Sequence, residues 1–219
     1  IQTMDATGDL PGSYDRFVPM VSMPAIPASW LTALRPDGRL VFSLSRTSIL
    51  ITADKQPDAS AAGQVEWYPA AFMTARHQPG DYPDGGDTPD EIRDAEGAHT
   101  AYARYPVVDV TWGWELDSLL EVTTPGIRHA YEHDQRTGVQ TAWMWHSDGS
   151  WARAAGKPHD PALVHQSGPR RLWDLLDDIR ERWIAEGCLP LRGARARIDP
   201  DGTCHLVRGS WHATIPAAT

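Results

Sequence analysis

Residues 29–44, SWLTALRPDGRLVFSL, decide which fold we expect for the first part of this chain. Apolar residues stand at helical spacing around Trp30 and Leu34, and the turn-forming Arg-Pro-Asp-Gly at 35–38 then ends the helix. Alternating apolar residues over 40–44 follow at once and predict a strand. A helix, a tight turn and a strand in this order are typical of an open α/β sheet, which holds ligands at the carboxyl ends of its strands.

The composition of the chain limits the classes of function. The 219 residues carry a net charge of −9, whereas nucleic-acid binding needs clustered Lys and Arg. No apolar run approaches the ~20 residues of a membrane span, and the start, IQTMDATGDL, lacks the basic and apolar regions of a secretion signal. Cys188 and Cys204 stand outside any metal-ligand spacing, as expected for reduced thiols in cytoplasm. We therefore expect a cytoplasmic protein with no nucleic-acid or membrane partner.

The first segment, 1–76, predicts part of a mixed sheet. DRFVPMVSM is expected to form a short strand, 28–34 the helix and 39–45 a second strand. SILITAD and GQVEWYPAAF are expected to pair as antiparallel strands around the turn-rich KQPDASAAG. Such an antiparallel pair is common at the edge of an α/β sheet.

The next stretch, 77–105, predicts a solvated acidic linker. It holds seven acidic residues and two arginines, together with several Pro and Gly residues. A segment of this composition buries too little apolar surface to fold alone. A short helix at 89–96 is compatible with the pattern, and we favour a linker over an acidic metal site.

The last segment, 106–219, predicts a small α+β domain. VVDVTWGW alternates as a strand, IRHAYEHD and VQTAWMWHSDG flank a hairpin turn, and SWARAAG continues the meander. GPRRLWDLLDDIRERWIAEG predicts a helix that ends at Gly187, and ARARIDPDGTCHLV predicts a closing hairpin. The apolar face of that helix comprises Leu172, Leu175, Leu176, Ile179 and Trp183.

A series of short motifs runs from Gly8 to Leu44. They are Gly8-Asp9, Tyr14-Asp15-Arg16-Phe17, Val21-Ser22-Met23, Ile26-Pro27 and the run from Leu34 to Val41. In this order they resemble the carboxyl half of the S-adenosylmethionine-dependent protein-L-isoaspartate O-methyltransferases, and GQVEWYPAAFMTAR is similar to that family's closing strand. Asp37 stands where the family has glycine, and Ser43 replaces its usual proline, which leaves the shape of the following loop open.

Three later stretches resemble a narrower group. SDGSWARA, VHQSGPRRLWDLLDDIRERWIAEG and DPDGTCHLV are similar to the extra carboxyl-terminal domain of actinobacterial members that accompany graspetides, lanthipeptides and lasso peptides. The W-x-x-x-G signature of that group falls at Trp183 to Gly187. The resemblance implies an α/β fold class: the carboxyl-terminal half of a Rossmann-like methyltransferase sheet, followed by a small α+β domain for a peptide substrate.

The resemblance also implies which residues would contact S-adenosylmethionine and the substrate. Gly8 and Asp9 would lie at the adenine edge, where a carboxylate can accept a hydrogen bond from the adenine amine. An ordinary turn is the alternative for this pair. The substrate side would comprise Val21, Ser22, Met23, Ile26, Pro27, Arg170, Arg171, Trp173, Trp183 and Gly187. A core tryptophan and a helix cap explain Trp183 and Gly187 without any ligand.

The resemblance implies that the family's glycine-rich cofactor loop and its catalytic region would lie upstream of Ile1. No G-x-G-x-x-G occurs in these 219 residues, and the chain does not start with Met. We therefore expect the chain to begin inside a longer polypeptide, to need that upstream half as a partner, and to bind S-adenosylmethionine poorly by itself.

Other groups of residues suggest other chemistries. His129, His133, Asp134 and His146 are reminiscent of a metal site, but a strand would hold residues 129 and 133 too far apart. His159, Asp160 and Ser150 could suggest a hydrolase triad, yet no nucleophile elbow accompanies them. Gly168-Pro169 before the helix would leave amide N–H groups free near Arg170 and Arg171 for a peptide carboxylate, unless these arginines simply face solvent.

Three functions follow as hypotheses. The first is the carboxyl-terminal part of an O-methyltransferase that esterifies an aspartate of a ribosomally made precursor peptide, which then closes to an aspartimide. The second is a repair methyltransferase for isoaspartyl residues in proteins, against which the extra domain counts. The third is a non-catalytic peptide-recognition module, which suits a chain without the cofactor loop.

Overall fold

The computed structural model describes residues 4–75 and 88–218, apart from the Trp114 side chain. These residues form two compact units, 4–75 together with 189–218, and 88–188. The strands are β1 Tyr14–Phe17, β2 Ser22–Met23, β3 Leu34–Leu44, β4 Leu50–Lys55, β5 Ala61–Val65, β6 His99–Tyr102, β7 Arg128–Asp134, β8 Val139–Trp145, β9 Trp151–Gly156, β10 Leu163–Ser167, β11 Arg195–Ile198, β12 Cys204–Arg208 and β13 Trp211–Ile215. The α-helices are α1 Ala28–Ala33, α2 Asp90–Arg93, α3 Trp114–Thr123 and α4 Leu172–Ala185, and a 3₁₀ turn covers Val110–Trp112.

The first unit is a mixed sheet. Its strands follow the order β1-β3-β4-β5-β11-β12-β13, and β2 also pairs with β3. Both β1 and β2 run parallel to β3, whereas every other neighbouring pair is antiparallel. The fold is therefore mixed α/β, with the antiparallel hairpin of β4 and β5 confirmed and with three further antiparallel strands beyond it.

The opening stretch forms its helix and its strand with a different boundary. Trp30 and Leu31 are buried on α1, and Lys55 Nζ donates to the carbonyls of Leu31 and Leu34 at 2.7 Å, which satisfies the end of the helix. β3 already begins at Leu34, and 35–38 is an irregularity inside the strand rather than a turn before it: Leu34 pairs with Tyr14, while Arg39 pairs with Arg16. The predicted strand in DRFVPMVSM is divided between β1 and β2.

The second unit is an antiparallel sheet in the order β6-β10-β9-β8-β7. Because the side chains of a strand alternate, one face carries Ala142, Met144, Ala152, Ala154 and Val164, all buried. Helix α4 packs against β8, β9 and β10, and α3 packs against α4. The predicted meander of β7, β8 and β9 is confirmed, and so is the helix predicted within 168–187, which the structure has over Leu172–Ala185.

Helix α4 ends as its sequence predicts. Gly187 has a φ of 74°, its N–H donates to Ile184 O at 3.0 Å, and the N–H of Cys188 donates to Trp183 O at 2.8 Å. These two bonds are a Schellman motif, which requires the left-handed conformation that glycine adopts most easily. Gly187 is thus a helix cap in this structure.

Three expectations about organisation need correction. The segment 106–219 is not one domain, because β11, β12 and β13 extend the first sheet through the pairing of β11 with β5. The linker expected over 77–105 includes α2 and β6, and β6 is an edge strand of the second sheet; residues 76–87 lie outside the described part of the chain. VVDVTWGW forms the 3₁₀ turn and the start of α3 instead of a strand.

Candidate functional site

A groove of about 720 Å³ lies in the first unit, beside β1. β1 ends at Phe17, and the residues that follow it, Val18 to Val21, form one wall of the groove. This places the groove at the carboxyl end of a strand that runs parallel to its neighbour, the position where open α/β sheets bind ligands. We refer to it as the β1 groove.

The wall of the β1 groove is apolar and accessible. Met4, Tyr14, Val18 and Met20 are exposed large apolar residues that line it, and Met20 has 72% of its surface exposed. Exposed apolar residues that are contiguous mark surfaces for ligands or partners more often than isolated ones do. The groove therefore offers contact area to an apolar body such as a ring system or a peptide side chain.

Trp30 forms the base of the β1 groove. It is buried, its indole Nε1 donates to Ala6 O at 2.6 Å, and its ring centroid lies 4.5 Å from that of Phe17. The hydrogen bond holds the segment before β1 against α1, and the ring contact fixes the end of β1. Trp30 thus gives the groove its shape, a role that the sequence pattern assigned only to a helix core.

Few polar groups reach the β1 groove, and most are occupied locally. Tyr14 Oη donates to Pro11 O at 2.7 Å, Arg16 Nη1 donates to the carbonyl of Asp15, and Asp5 Oδ1 accepts from the Thr7 N–H and hydroxyl. Neither a nucleophile paired with a base nor a carboxylate pair lines the groove in the described residues. Its chemistry is that of binding and positioning.

The residues predicted to contact the cofactor are placed outside the β1 groove. Gly8 and Asp9 are exposed and are not among its described lining residues. The apolar walls suit the adenosyl part of S-adenosylmethionine, but neither a glycine-rich loop nor a groove-lining Asp9 is present to hold its polar parts. The described residues therefore fit one wall of such a site and not a complete one, and the adenine role of Gly8 and Asp9 stays a prediction.

The predicted substrate residues of the first unit are divided. Val21 and Met23 line the β1 groove, whereas Ser22, Ile26 and Pro27 are buried and do not line it in the described structure. Ser22 has a structural explanation: its N–H and C=O bond the backbone of Met73 and Ala75, both at 2.9 Å, and its hydroxyl donates to Phe72 O at 3.0 Å. These bonds hold segment 72–75 beside β2.

In the second unit, Arg170 and Arg171 do not flank free amide groups. The Arg170 N–H donates to Ser150 Oγ at 3.0 Å, and the Trp173 N–H donates to Gln166 Oε1 at 3.1 Å. The anion site expected at the start of α4 is thus occupied by side chains of the protein itself. Arg171 is exposed and lies 3.7 Å from Asp174.

Arg170 instead pairs with Asp148, which lies between β8 and β9. We call the contacts among Arg170, Asp148 and Ser150 the turn lock. Arg170 Nε donates to Asp148 Oδ2 at 2.7 Å, and the Ser150 N–H donates to Asp148 Oδ1 at 2.9 Å. The backbone N–H of Ser150 is the main reason that the pKa of Asp148 lies well below its usual range, and Arg170 lowers it further. This geometry explains Ser150 and Arg170 as structural residues.

Trp173 and Trp183, also predicted to contact a peptide, differ in exposure. Trp173 has only 1% of its surface exposed and belongs to the core between α4 and the sheet, so it offers no surface to a ligand. Trp183 is half-buried near the end of α4. Together with the capping role of Gly187, these positions do not converge on one surface.

The histidines suggest no metal centre. β7 is a strand, and His129 Nε2 lies 3.0 Å from Asp117 Oδ1 of α3, which gives this ring a structural partner. Within residues 4–75 and 88–218, no group of three or more His, Cys, Asp or Glu side chains could hold a metal ion. Over the same residues, none of the helices has the length and apolarity that a membrane crossing needs.

Comparison with known proteins gave one structural likeness. A solved structure of a protein-L-isoaspartate O-methyltransferase is similar to this chain with a TM-score of 0.37 and 13% sequence identity, over 95% of this chain and 56% of that protein. The chain thus spans little more than half the length of that structure. No protein-family model matches the sequence, and no curated protein does. A likeness at this TM-score is too weak to assign a function to the chain.

Proposed function

We propose that this chain is part of an S-adenosylmethionine-dependent O-methyltransferase that esterifies an aspartate side chain of a ribosomally made precursor peptide. The β1 groove carries the proposal. It lies at the carboxyl end of β1, which is parallel to β3, and its walls are apolar. This is where a nucleotide-like cofactor or its acceptor binds in sheets of this kind.

The motifs that resemble the methyltransferase family agree with this position. Tyr14 to Phe17 form β1, and the run from Leu34 to Val41 forms the first part of β3 next to it. Two of the predicted pocket residues, Val21 and Met23, line the groove. Residues of two motifs therefore line the groove, in β1 and at Val21 and Met23, whereas Gly8-Asp9, Ile26-Pro27 and the run from Leu34 to Val41 do not.

The other wall would come from an upstream half of the polypeptide. β1 is the last strand of its sheet in the described residues, and its side chains are mostly exposed. An edge strand with exposed apolar neighbours is a template for further strand pairing. A preceding segment that pairs with β1 would close the groove and supply the glycine-rich cofactor loop that this sequence lacks.

The proposed methyl transfer needs little acid–base catalysis from the residues of this chain. S-adenosylmethionine would supply the methyl group, and the substrate carboxylate is already a nucleophile, so orientation in line with the donor is the main requirement. The apolar walls of the β1 groove would exclude water from that reaction. In the ester, the next backbone nitrogen then attacks the carbonyl carbon, the bond to methoxide breaks, the amide proton leaves with it as methanol, and an aspartimide remains.

Cofactor binding tests the groove with a matched pair of exposed methionines. Met20 lines the groove, whereas Met73 is equally exposed and does not. In the polypeptide with the upstream half, we expect Met20→Glu to weaken S-adenosylmethionine binding about tenfold, or ~1.4 kcal/mol, and Met73→Glu to leave it unchanged in titration calorimetry. Equal effects of the two substitutions would contradict the assignment of the groove.

A comparison of peptides as methyl acceptors tests the substrate class. We expect methylation of a precursor peptide that contains aspartate, followed by net loss of one water in mass spectrometry. Preference for an isoaspartyl peptide would support the repair enzyme instead. Failure of the longer polypeptide to bind the cofactor would support the non-catalytic recognition module.

A further inference from the structure

A second groove, of about 360 Å³, lies in the second unit on the sheet face opposite the buried alanines. The register places Trp143 opposite Arg153, and Thr141 between Glu132 and Ala155. All five line the groove. Neighbouring strands therefore present an aromatic ring, a guanidinium and small side chains on one face; we call this the Arg153 groove.

Arg153 is unusual among the residues that line this groove. Its side chain is only 18% exposed, and its Nε is buried without a hydrogen-bond partner in the part of the chain that the structure describes. Among the described residues, the carboxylate oxygen nearest to its guanidinium is Asp94 Oδ1, which lies 3.9 Å from Nη1, too far for a hydrogen bond. Burial of an N–H of a charged group without a hydrogen-bond partner is costly, so this guanidinium is a candidate for pairing with a ligand.

Other arginines of the chain show what a satisfied guanidinium looks like. Arg39 donates to both oxygens of Asp54, at 2.7 and 2.9 Å, and Arg35 donates to both oxygens of Asp15 at 3.0 Å. Both of these pairs are on the surface, where water could serve the same purpose. Arg153 is more buried than either, yet it has the weaker carboxylate contact.

The rest of the groove adds charge of both signs. The guanidinium carbon of Arg93 lies 5.9 Å from the Trp143 ring, and Trp143 Nε1 donates to Arg93 O at 3.1 Å, so a second cation stands beside the first. Asp94 and Glu132 are exposed residues at the rim. A ligand with a carboxylate for the base and a positive group for the rim complements this arrangement.

We propose that the Arg153 groove is a carboxylate-binding site that takes the acidic side chain of a peptide. Arg153 pairs with that carboxylate, Trp143 contacts the adjoining backbone, and Asp94 and Glu132 favour a basic residue next to the acidic one. A carboxylate that accepts two N–H bonds from one guanidinium gives both affinity and orientation. Under the proposed function this peptide is the substrate, but the site needs no cofactor and no methyl transfer.

The experiment compares two acetylated and amidated peptides with this chain, in the absence of S-adenosylmethionine. One contains a single aspartate next to lysine, and the other has asparagine in its place. We expect titration calorimetry to show binding of the aspartate peptide that is at least about tenfold tighter than that of the asparagine peptide, because a guanidinium forms stronger hydrogen bonds with a carboxylate than with a neutral amide. Equal binding of the two peptides, or no binding of either, overturns the proposal without any mutant.

Variants then locate the site. Arg153→Gln should weaken binding of the aspartate peptide about tenfold or more, and Arg153→Lys should restore part of it, since lysine keeps the charge without the paired geometry. Arg182→Gln removes an exposed arginine of α4 that does not line the groove and should leave binding unchanged. A loss on Arg182→Gln equal to that on Arg153→Gln would overturn the assignment. Failure of cofactor binding would refute the proposed function and leave this site intact.

Discussion

The two units of this chain differ in how their sheets are assembled. In the second unit, β7, β8 and β9 are consecutive strands that pair as neighbours, and α4 follows directly after β10. In the first unit, β5 pairs with β11, so that Ala61 lies beside Ile198. Sequence patterns describe local pairing well, whereas long-range pairing depends on which exposed edge meets which, and no local pattern encodes that choice.

The two grooves also differ in the chemical groups that line them. The β1 groove has apolar walls, and its few polar groups are bound locally. The Arg153 groove has a largely buried guanidinium, with exposed acids beside it. Apolar walls select by shape and area, whereas a largely buried charge selects one complementary group, so we expect the two grooves to prefer different chemical groups.

The largest effect is expected at the base of the β1 groove. Trp30→Ala removes a side chain that is 1% exposed, its ring contact with Phe17 and its hydrogen bond to Ala6. We expect a loss of ~3–5 kcal/mol in the free energy of unfolding, measured by chemical denaturation. Trp112→Ala, at a position 86% exposed, is the matched control and should change stability by no more than ~0.5 kcal/mol. Similar losses in both variants would show that Trp30 does not organise its unit.

The next effect tests whether the carboxyl-terminal hairpin belongs to the first unit. Gly202 has a φ of +94°, and a Cβ there would lie 2.1 Å from Ile26 O. Gly202→Ala should cost more than ~2 kcal/mol, because it adds a clash with the backbone to the strain of positive φ. Gly12→Ala has a similar φ of +88° and open space around it, so it isolates the strain alone at ~1–2 kcal/mol. Thermal unfolding of the two variants compares them, and equal losses would contradict the packing of this turn on Ile26.

A smaller effect, in the second unit, depends on pH. The pKa of Asp148 is lowered in the folded protein, chiefly by the Ser150 N–H, so its charge stabilises the fold above the unfolded-state pKa of ~3.9 and that contribution is lost as pH falls. Asp148→Asn should therefore lower stability at pH 7, and its difference from the wild type should shrink on acidification. Asp160→Asn, at an exposed site, is the control and should show no such trend. A constant difference at every pH would argue against the turn lock.

The smallest effect concerns the two thiols, one in each unit. Burial raises the pKa of Cys204 to about 12, whereas Cys188 is exposed after α4. At pH 8 the Cys188 thiol of the native protein should react rapidly with one equivalent of a chromogenic disulfide reagent. Cys204 should react on the order of a thousandfold more slowly. In denaturant both should react. Two rapid equivalents in the native protein would mean that the first sheet opens readily around β12.

Individual elements show how far sequence reasoning reaches. The helix over 172–185 and its Gly187 cap follow from apolar periodicity and a capping residue, both local properties. VVDVTWGW shows the limit: its alternation suits a strand, but the segment forms a turn and the first residues of α3 in the structure. Over a few residues, helix and strand patterns overlap, and tertiary packing decides between them.

The candidate sites show the same division. The resemblance to the methyltransferase family places Val21 and Met23 in a substrate pocket, and both line the β1 groove. Arg153 gave no signal in sequence, because its significance lies in burial without a hydrogen-bond partner, which depends on strands and helices around it. The resemblance places Trp173 on the substrate side, yet the fold leaves only 1% of its surface exposed.

The sequence by itself determined the hairpins and the long helix with its cap, because these depend on residues close together along the chain. Only the tertiary structure decided that 195–215 completes the first sheet, that side chains occupy the amide groups at the start of α4, and that Arg153 is left with an unpaired Nε. The reason is physical. Burial and hydrogen-bond satisfaction are properties of the assembled packing, and distant segments set them together.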